Sequence, residues 1–150
     1  MAASTTPSST LLPRSVLFVC NQNSVRSPMA FALADQYVKR RFYVDSAGLV
    51  SRALDPFVAQ VMREEGYDLS DHHPKTLQHL TLNDYDLIVA LTSQSYDHLL
   101  QKLADEETEI EFWPTVDPCA VEGNREQIMD AYRSVRRDLK RRIEQRFPFD

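Results

Sequence analysis

The side chains able to do chemistry sit together early in the chain, in the run VLFVCNQNSVRSP from Val16 to Pro28. Cys20 and Arg26 bracket a loop of Asn21, Gln22, Asn23, Ser24 and Val25. A loop that feeds a helix N-terminus aims backbone N–H groups at one spot and adds the positive end of the helix dipole. That makes an anion site of phosphate geometry. Arg26 adds a guanidinium fork for two of the anion's oxygens. Cys20, at the base of the loop, shares the positive field, which favours its thiolate, and the hydroxyl of Ser27 or Ser24 can donate to the sulfur. The expected arrangement is a nucleophile beneath a bound tetrahedral oxyanion. The plain alternative is a buried structural cysteine with an unrelated surface arginine. It weakens because strand, cysteine, loop, arginine, serine and proline occur in the order the chemistry requires.

Two elements must position this loop. The apolar run Val16 to Val19 reads as a buried strand. Ser27 suits a helix N-cap and Pro28 the first helical position, where a missing N–H would have no partner anyway. Pro28 also pushes Ser27 out of the α region, as a cap requires.

The order Val19-Cys20, five residues, Arg26-Ser27-Pro28 resembles the low-molecular-weight protein tyrosine phosphatases and the thioredoxin-coupled arsenate reductases that share their fold. The resemblance runs from about Ser15 to the C-terminus. Its second anchor is Asp117-Pro118, where the family carries its general acid, and a lesser match is Asp45-Ser46-Ala47-Gly48. The resemblance implies that Asn23 props the loop and that Ser46, with Ser27, supports it. His72 falls near a histidine that helps hold the loop in the family. An Asp-Pro turn and a loop-surface histidine are the plainer readings of Asp117 and His72.

The rest of the chain bounds the answer. Its 150 residues make one domain with a proper core. A net charge of −5 argues against a broad nucleic-acid surface. The two cysteines are far apart and lack metal-ligand spacing, which suits a reducing cytosol rather than a disulfide scaffold. No apolar run approaches membrane-spanning length. Residues 1–14 read as a disordered Ala/Ser/Thr/Pro-rich tail and 15–150 as the catalytic domain. His72 and His73 are adjacent in a loop with no sensible third ligand, so no metal is expected.

The apolar periodicities place helices over 28–41, 56–66, about 93–103 and 124–147. Strands are expected at 16–19, 42–46, 86–91 and 109–113. Thr92 or Ser93 should cap the third helix, with Tyr96, Leu99, Leu100 and Leu103 as its apolar face. Ile128, Tyr132, Val135, Leu139, Ile143 and Phe147 line one side of the last helix. The other side is basic and reads as a solvated face with pairs such as Asp138 and Arg142, the alternative being a surface for an acidic partner. Alternating strands and helices imply right-handed parallel crossovers and a small α/β three-layer sandwich. The resemblance implies a four-stranded sheet of order 2-1-3-4. Cys20 follows the first strand and Asp117 the fourth, so both lie at the carboxyl edge where such sheets bind ligands.

The expected reaction is two-step hydrolysis of a phosphomonoester, on a phosphorylated protein or a small molecule, through a phosphocysteine. Cys20 attacks phosphorus, Arg26 and the amides of Asn21 to Arg26 hold the equatorial oxygens, and Asp117 protonates the leaving oxygen. No cofactor is needed. Three positions depart from the family pattern. Val25 stands where a second cysteine often precedes the arginine. Cys119-Ala120 and Leu49-Val50 stand where phosphotyrosine-binding members carry ring-gripping aromatics. Arsenate reduction in the same pocket is the redox alternative, although Leu91 to Leu103 holds no resolving thiol; a Cys20–Cys119 crosslink would supply one. A non-catalytic phosphate-binding module is the third reading.

Overall fold

The computed structural model describes residues 12–148. The tail expected over residues 1–14 lies mostly outside them. Four parallel strands form one sheet of order β2-β1-β3-β4: β1 Ser15–Cys20, β2 Tyr43–Gly48, β3 Leu87–Ala90 and β4 Glu109–Phe112. This is the expected order. Period-two alternation splits β1 between two cores. Val16, Phe18 and Cys20 face one layer, built from α1 Arg26–Val38, α2 Pro56–Arg63 and α4 Arg125–Arg146. Leu17 and Val19 face the other, built from α3 Ser93–Lys102 and two 3-10 turns, Leu77–His79 and Leu82–Asp84. A strand buried on both faces has to be apolar throughout, which is why the run at the start of the motif carries no polar residue.

The first helix begins two residues earlier than expected, at Arg26, with Val25 at the N-cap. Ser27 is therefore not the cap; its hydroxyl is engaged elsewhere, as shown below. Pro28 remains inside the first turn, where an N–H has no intrahelical acceptor. Lys39 ends α1 in the left-handed conformation, so Lys39, Arg40 and Arg41 lie beyond the helix rather than in its last turn. The other caps follow the sequence. Asp55 caps α2 by accepting from Phe57 N–H at 2.8 Å, with Pro56 at the first position. Thr92, not Ser93, caps α3, and Asn124 caps α4. Leu100 is 44 % exposed, so the apolar face of α3 is narrower than its spacing suggested.

Much of the basic side of α4 is occupied within the chain. Arg133 and Arg136 pair with Glu64, the C-cap of α2, at 2.7 and 3.0 Å. These two guanidiniums hold the Glu64 carboxyl down at about 2. Arg146 reaches Glu111 on β4 at 2.8 Å, and Arg142 lies over the Trp113 ring. Asp138 pairs with Arg141 rather than Arg142. No helix among the described residues is long and apolar enough to cross a membrane.

Candidate active site

The loop between β1 and α1 is built outward-in. Every carbonyl from Cys20 to Val25 accepts a hydrogen bond from a donor outside the loop. Leu49, Val50 and Arg52 N–H groups donate to the carbonyls of Cys20, Asn21 and Gln22 at 3.1, 3.0 and 3.0 Å. His72 Nε2 reaches the Asn23 carbonyl at 3.0 Å. Asp55 N–H takes the Ser24 carbonyl at 3.1 Å, and Met29 N–H that of Val25 at 3.2 Å. The peptides are trans. In a trans unit the C=O and N–H point in opposite directions. Carbonyls held outward leave the following amides, Asn21 to Arg26, turned toward the inside of the loop, the side on which Cys20 lies.

Asn23 holds this shape. It is fully buried with φ 53°, a left-handed conformation that asparagine tolerates better than most residues. Its side chain is satisfied at both ends. Nδ2 donates to Ser27 Oγ at 2.8 Å and Ser46 Oγ at 3.0 Å, and Oδ1 accepts from Lys75 N–H at 3.0 Å. The Lys75 side chain is fixed in turn by Asp45 at 2.8 Å. Gly48, at the end of β2, lets the loop sit directly on the sheet: a Cβ there would stand 2.6 Å from Asn23 N and 2.7 Å from the Gln22 carbonyl carbon. Its role is this close approach and not a left-handed turn, because the positive-φ glycines are Gly66 and Gly123.

Cys20 is buried at the bottom. Its sulfur lies 3.0 Å from Ser27 Oγ, and Ser27 N–H, in the first turn of α1, points at it from 3.4 Å. Ser27 is thus the hydroxyl beside the sulfur; Ser24 donates instead to the Ala53 carbonyl at 2.8 Å. Cys20, Asn21, Gln22, Ser24, Val25, Arg26 and Asp117 line one cleft of about 150 Å³. Arg26 spends one N–H on the Thr115 carbonyl at 3.0 Å, which ties the guanidinium to the segment that carries Asp117. Asp117 is exposed, and its Oδ1 accepts from Cys119 N–H at 2.9 Å. A larger, more apolar cavity of about 270 Å³ between α1 and residues 67–72 contains none of Cys20, Arg26 or Asp117.

All three expected catalytic residues therefore share one cleft, and Ser27, Ser46 and His72 all touch the loop machinery. No aromatic side chain lines the cleft among the described residues: Trp113 is buried against Phe18, and Phe112 stacks on Tyr96. No group of three or more metal-ligating side chains occurs among the described residues. Cys119 does not line the cleft; its thiol meets Tyr132 and Asp55. The sequence reading missed the outer brace of residues 49–55. The only local signal for it is Asp55-Pro56, which marks a helix start and says nothing about Ser24.

His72 yields a pH prediction. Burial, the largest cause, lowers its pKa, partly opposed by the Asn23 carbonyl. The unfolded chain then binds a proton more readily than the folded one. Stability should fall as pH drops below the ordinary histidine value of about 6.5 toward the lower folded value. Melting temperatures at pH 7.0 and 5.5 check this: the drop should be smaller in His72→Gln than in the parent, and identical drops would rule it out.

The sequence profile described as low molecular weight phosphotyrosine protein phosphatase matches residues 15–147. An arsenate reductase of Bacillus subtilis is 29% identical over 130 residues, covering 87% of this chain and 92% of that protein. The tyrosine phosphatase amsI of Erwinia amylovora superposes with a TM-score of 0.73 at 23% identity over 91% of each chain, a likeness of fold. An arsenate reductase in a phosphate-binding state superposes with a TM-score of 0.70 at 28% identity, covering 88% of this chain and 95% of that one. With the profile spanning nearly all of the folded residues, the chain belongs to the low molecular weight phosphotyrosine protein phosphatase family.

Proposed function

We propose that residues 15–150 form a cytoplasmic cysteine-dependent phosphomonoesterase. The observation that carries this reading is the common cleft of Cys20, Arg26 and Asp117. The Cys20 thiolate attacks phosphorus in line with the leaving oxygen. The inward amides and the free edge of the Arg26 fork hold the three equatorial oxygens as charge gathers on them. Asp117, as the acid, gives its proton to the departing oxygen, leaving a phosphocysteine. Asp117 then takes a proton from the water that cleaves the S–P bond, and phosphate leaves with the thiolate restored.

Arsenate reduction is the second reading, favoured by the arsenate reductase relatives. There Cys20 would displace water from arsenate, and a second thiol would attack the Cys20 sulfur, releasing arsenite and forming a disulfide. The chain's one other thiol, Cys119, is engaged with Tyr132 and Asp55. Partial desolvation, opposed by the Tyr132 hydrogen bond but reinforced by the Asp117 and Asp55 charges, raises the Cys119 pKa, the reverse of what an attacking thiol needs. The deciding experiment runs 4-nitrophenyl phosphate hydrolysis beside arsenate turnover with thioredoxin or glutaredoxin as reductant. Arsenate turnover that vanishes in Cys119→Ser, with no phosphate release from the ester, would replace the hydrolase reading.

Asp117→Asn should lower kcat/KM by roughly 100-fold or more on phenyl phosphate, and much less on 2,4-dinitrophenyl phosphate, whose leaving group needs no proton. Equal losses on the two esters would remove Asp117 from the acid role. The cleft without aromatics supports a substrate other than a ring-gripped phosphotyrosine. Phosphotyrosine peptides should show kcat/KM within about tenfold of small aryl phosphates, since a stacked ring adds only ~1 kcal/mol beyond its burial. A preference above a thousandfold would reveal a ring wall assembled on binding.

A further inference from the structure

Asp117 is exposed and sits on a loop, yet a general acid must be held to within about an ångström of its working place. Its carboxyl accepts from the amide of Cys119. The thiol of that same residue is 3.3 Å from Tyr132 Oη and 3.6 Å from Asp55 Oδ2. Tyr132, on α4 and only 2 % exposed, donates its own hydroxyl proton to Asp55 Oδ2 at 2.8 Å. Asp55 has a second attachment, because its N–H holds the Ser24 carbonyl of the phosphate-binding loop. The contacts therefore close a ring that runs from the nucleophile's loop through Asp55, Tyr132 and Cys119 to Asp117, which faces the same cleft as Cys20.

Resting on the phosphomonoesterase reading, we propose that Tyr132 and Asp55 are positioning residues that fix Asp117 over Cys20 through the amide and thiol of Cys119. Nothing in the hydrolytic scheme requires a tyrosine on α4 or a cysteine after Pro118. Both are accounted for if the acid loop needs a hydrogen-bonding floor that refers it to the same frame as the phosphate. Asp55 suits the post because its two oxygens are split between jobs. Oδ1 caps α2, so Asp55 cannot swing without unwinding that helix, and Oδ2 is left to receive the acid loop. The Phe57 ring against Tyr132, with centroids 5.4 Å apart, keeps the phenol from turning away. Arg26, donating to the Thr115 carbonyl, is the tether on the other side of Asp117. The reading also gives the Cys119 thiol a part that needs it protonated, as a weak donor and not as a nucleophile.

The test is a leaving-group comparison on the intact protein. Tyr132→Phe keeps the ring and removes the hydroxyl. It should lose about tenfold in kcat/KM on phenyl phosphate and less than twofold on 2,4-dinitrophenyl phosphate, with the inhibition constant of inorganic phosphate unchanged. In an Asp117→Asn background the same substitution should add nothing. Cys119→Ser restores a donor and should keep at least half of the activity on phenyl phosphate, whereas Cys119→Val should behave like Tyr132→Phe. A loss that is equal on both esters, or that persists in the Asp117→Asn background, would make the cluster merely structural and overturn the proposal. If the parent hydrolyses neither ester, the phosphomonoesterase reading fails first, and the positioning is read without turnover. The Cys119 amide proton resonance should shift with pH in the parent, because it donates to Asp117, and should not do so in Asp117→Asn. Tyr132→Phe should at least halve that shift; an unchanged shift would overturn the positioning on its own.

Discussion

Cys20→Ser is expected to abolish hydrolysis of 4-nitrophenyl phosphate, by about 10⁴-fold or more, while inorganic phosphate or vanadate still binds with near-parental affinity. The two halves of this result come from different parts of the site. In the proposed mechanism the anion is held by amides whose direction is set by carbonyl partners at Leu49, Val50, Arg52, His72, Asp55 and Met29, none of which involves the sulfur. The proposed nucleophile is the sulfur alone, placed beside the Ser27 hydroxyl and amide. A serine oxygen at the same position lacks a thiolate's nucleophilicity but keeps the pocket's shape. Competition binding by isothermal calorimetry, beside steady-state rates, reads both halves. Substantial turnover in Cys20→Ser would remove the nucleophile from the mechanism. Loss of phosphate binding as well would place the sulfur among the anion's supports.

Gly48→Ala should also lower activity strongly, although the residue touches no substrate. The added Cβ would collide with the Val50 carbonyl oxygen, and would press on the Asn23 amide and the Gln22 carbonyl carbon. All three are backbone, so no side chain can rotate out of the way. The conflict must be relieved by lifting the phosphate loop off the end of β2. A shift of even part of an ångström spoils amides aimed at one point, and about 100-fold in kcat/KM is the scale of that misplacement. Overpacking of this kind also destabilises by about 1–3 kcal/mol. Steady-state kinetics and thermal melting measure the two effects. A Gly48→Ala protein with parental activity and phosphate affinity would show that the loop has slack the structure does not display.

What the sequence disclosed about this site was the part made by neighbours in the chain. The strand, cysteine, five-residue loop and arginine are contiguous, and their chemistry follows from types and spacing. The parallel sheet followed from alternating elements, and its strand order came through the family resemblance. The helix start moved because Ser27 has two plausible employers, the backbone and a sulfur seven residues back, and only the folded loop brings the second within reach. The braces were illegible for the same reason. Nothing local marks Lys75 as a donor to Asn23, or Arg52 as the residue that turns the Gln22 carbonyl outward. The basic face of α4 showed up as periodicity, but its partners Glu64 and Glu111 lie on other elements, so the pairing offered along the helix was the wrong one. Leu100 looked like core because helical spacing does not say how wide a face the sheet covers.

The outward-turned carbonyls also limit how portable the motif is. Asn23 alone is fastened by contacts that span 23 residues to Ser46, 49 to His72 and 52 to Lys75. Each such contact closes a long stretch of chain, and that loss of freedom is recovered only when the whole sheet assembles. A short peptide copying Cys20 to Pro28 has the letters of the motif but none of the donors that turn its carbonyls outward. Its amides would point at random and be hydrated, and its sulfur would be an ordinary thiol. Grafting the site onto another scaffold therefore means importing a glycine-ended neighbouring strand, the brace after it, and donors equivalent to His72 and Lys75, rather than transplanting a loop.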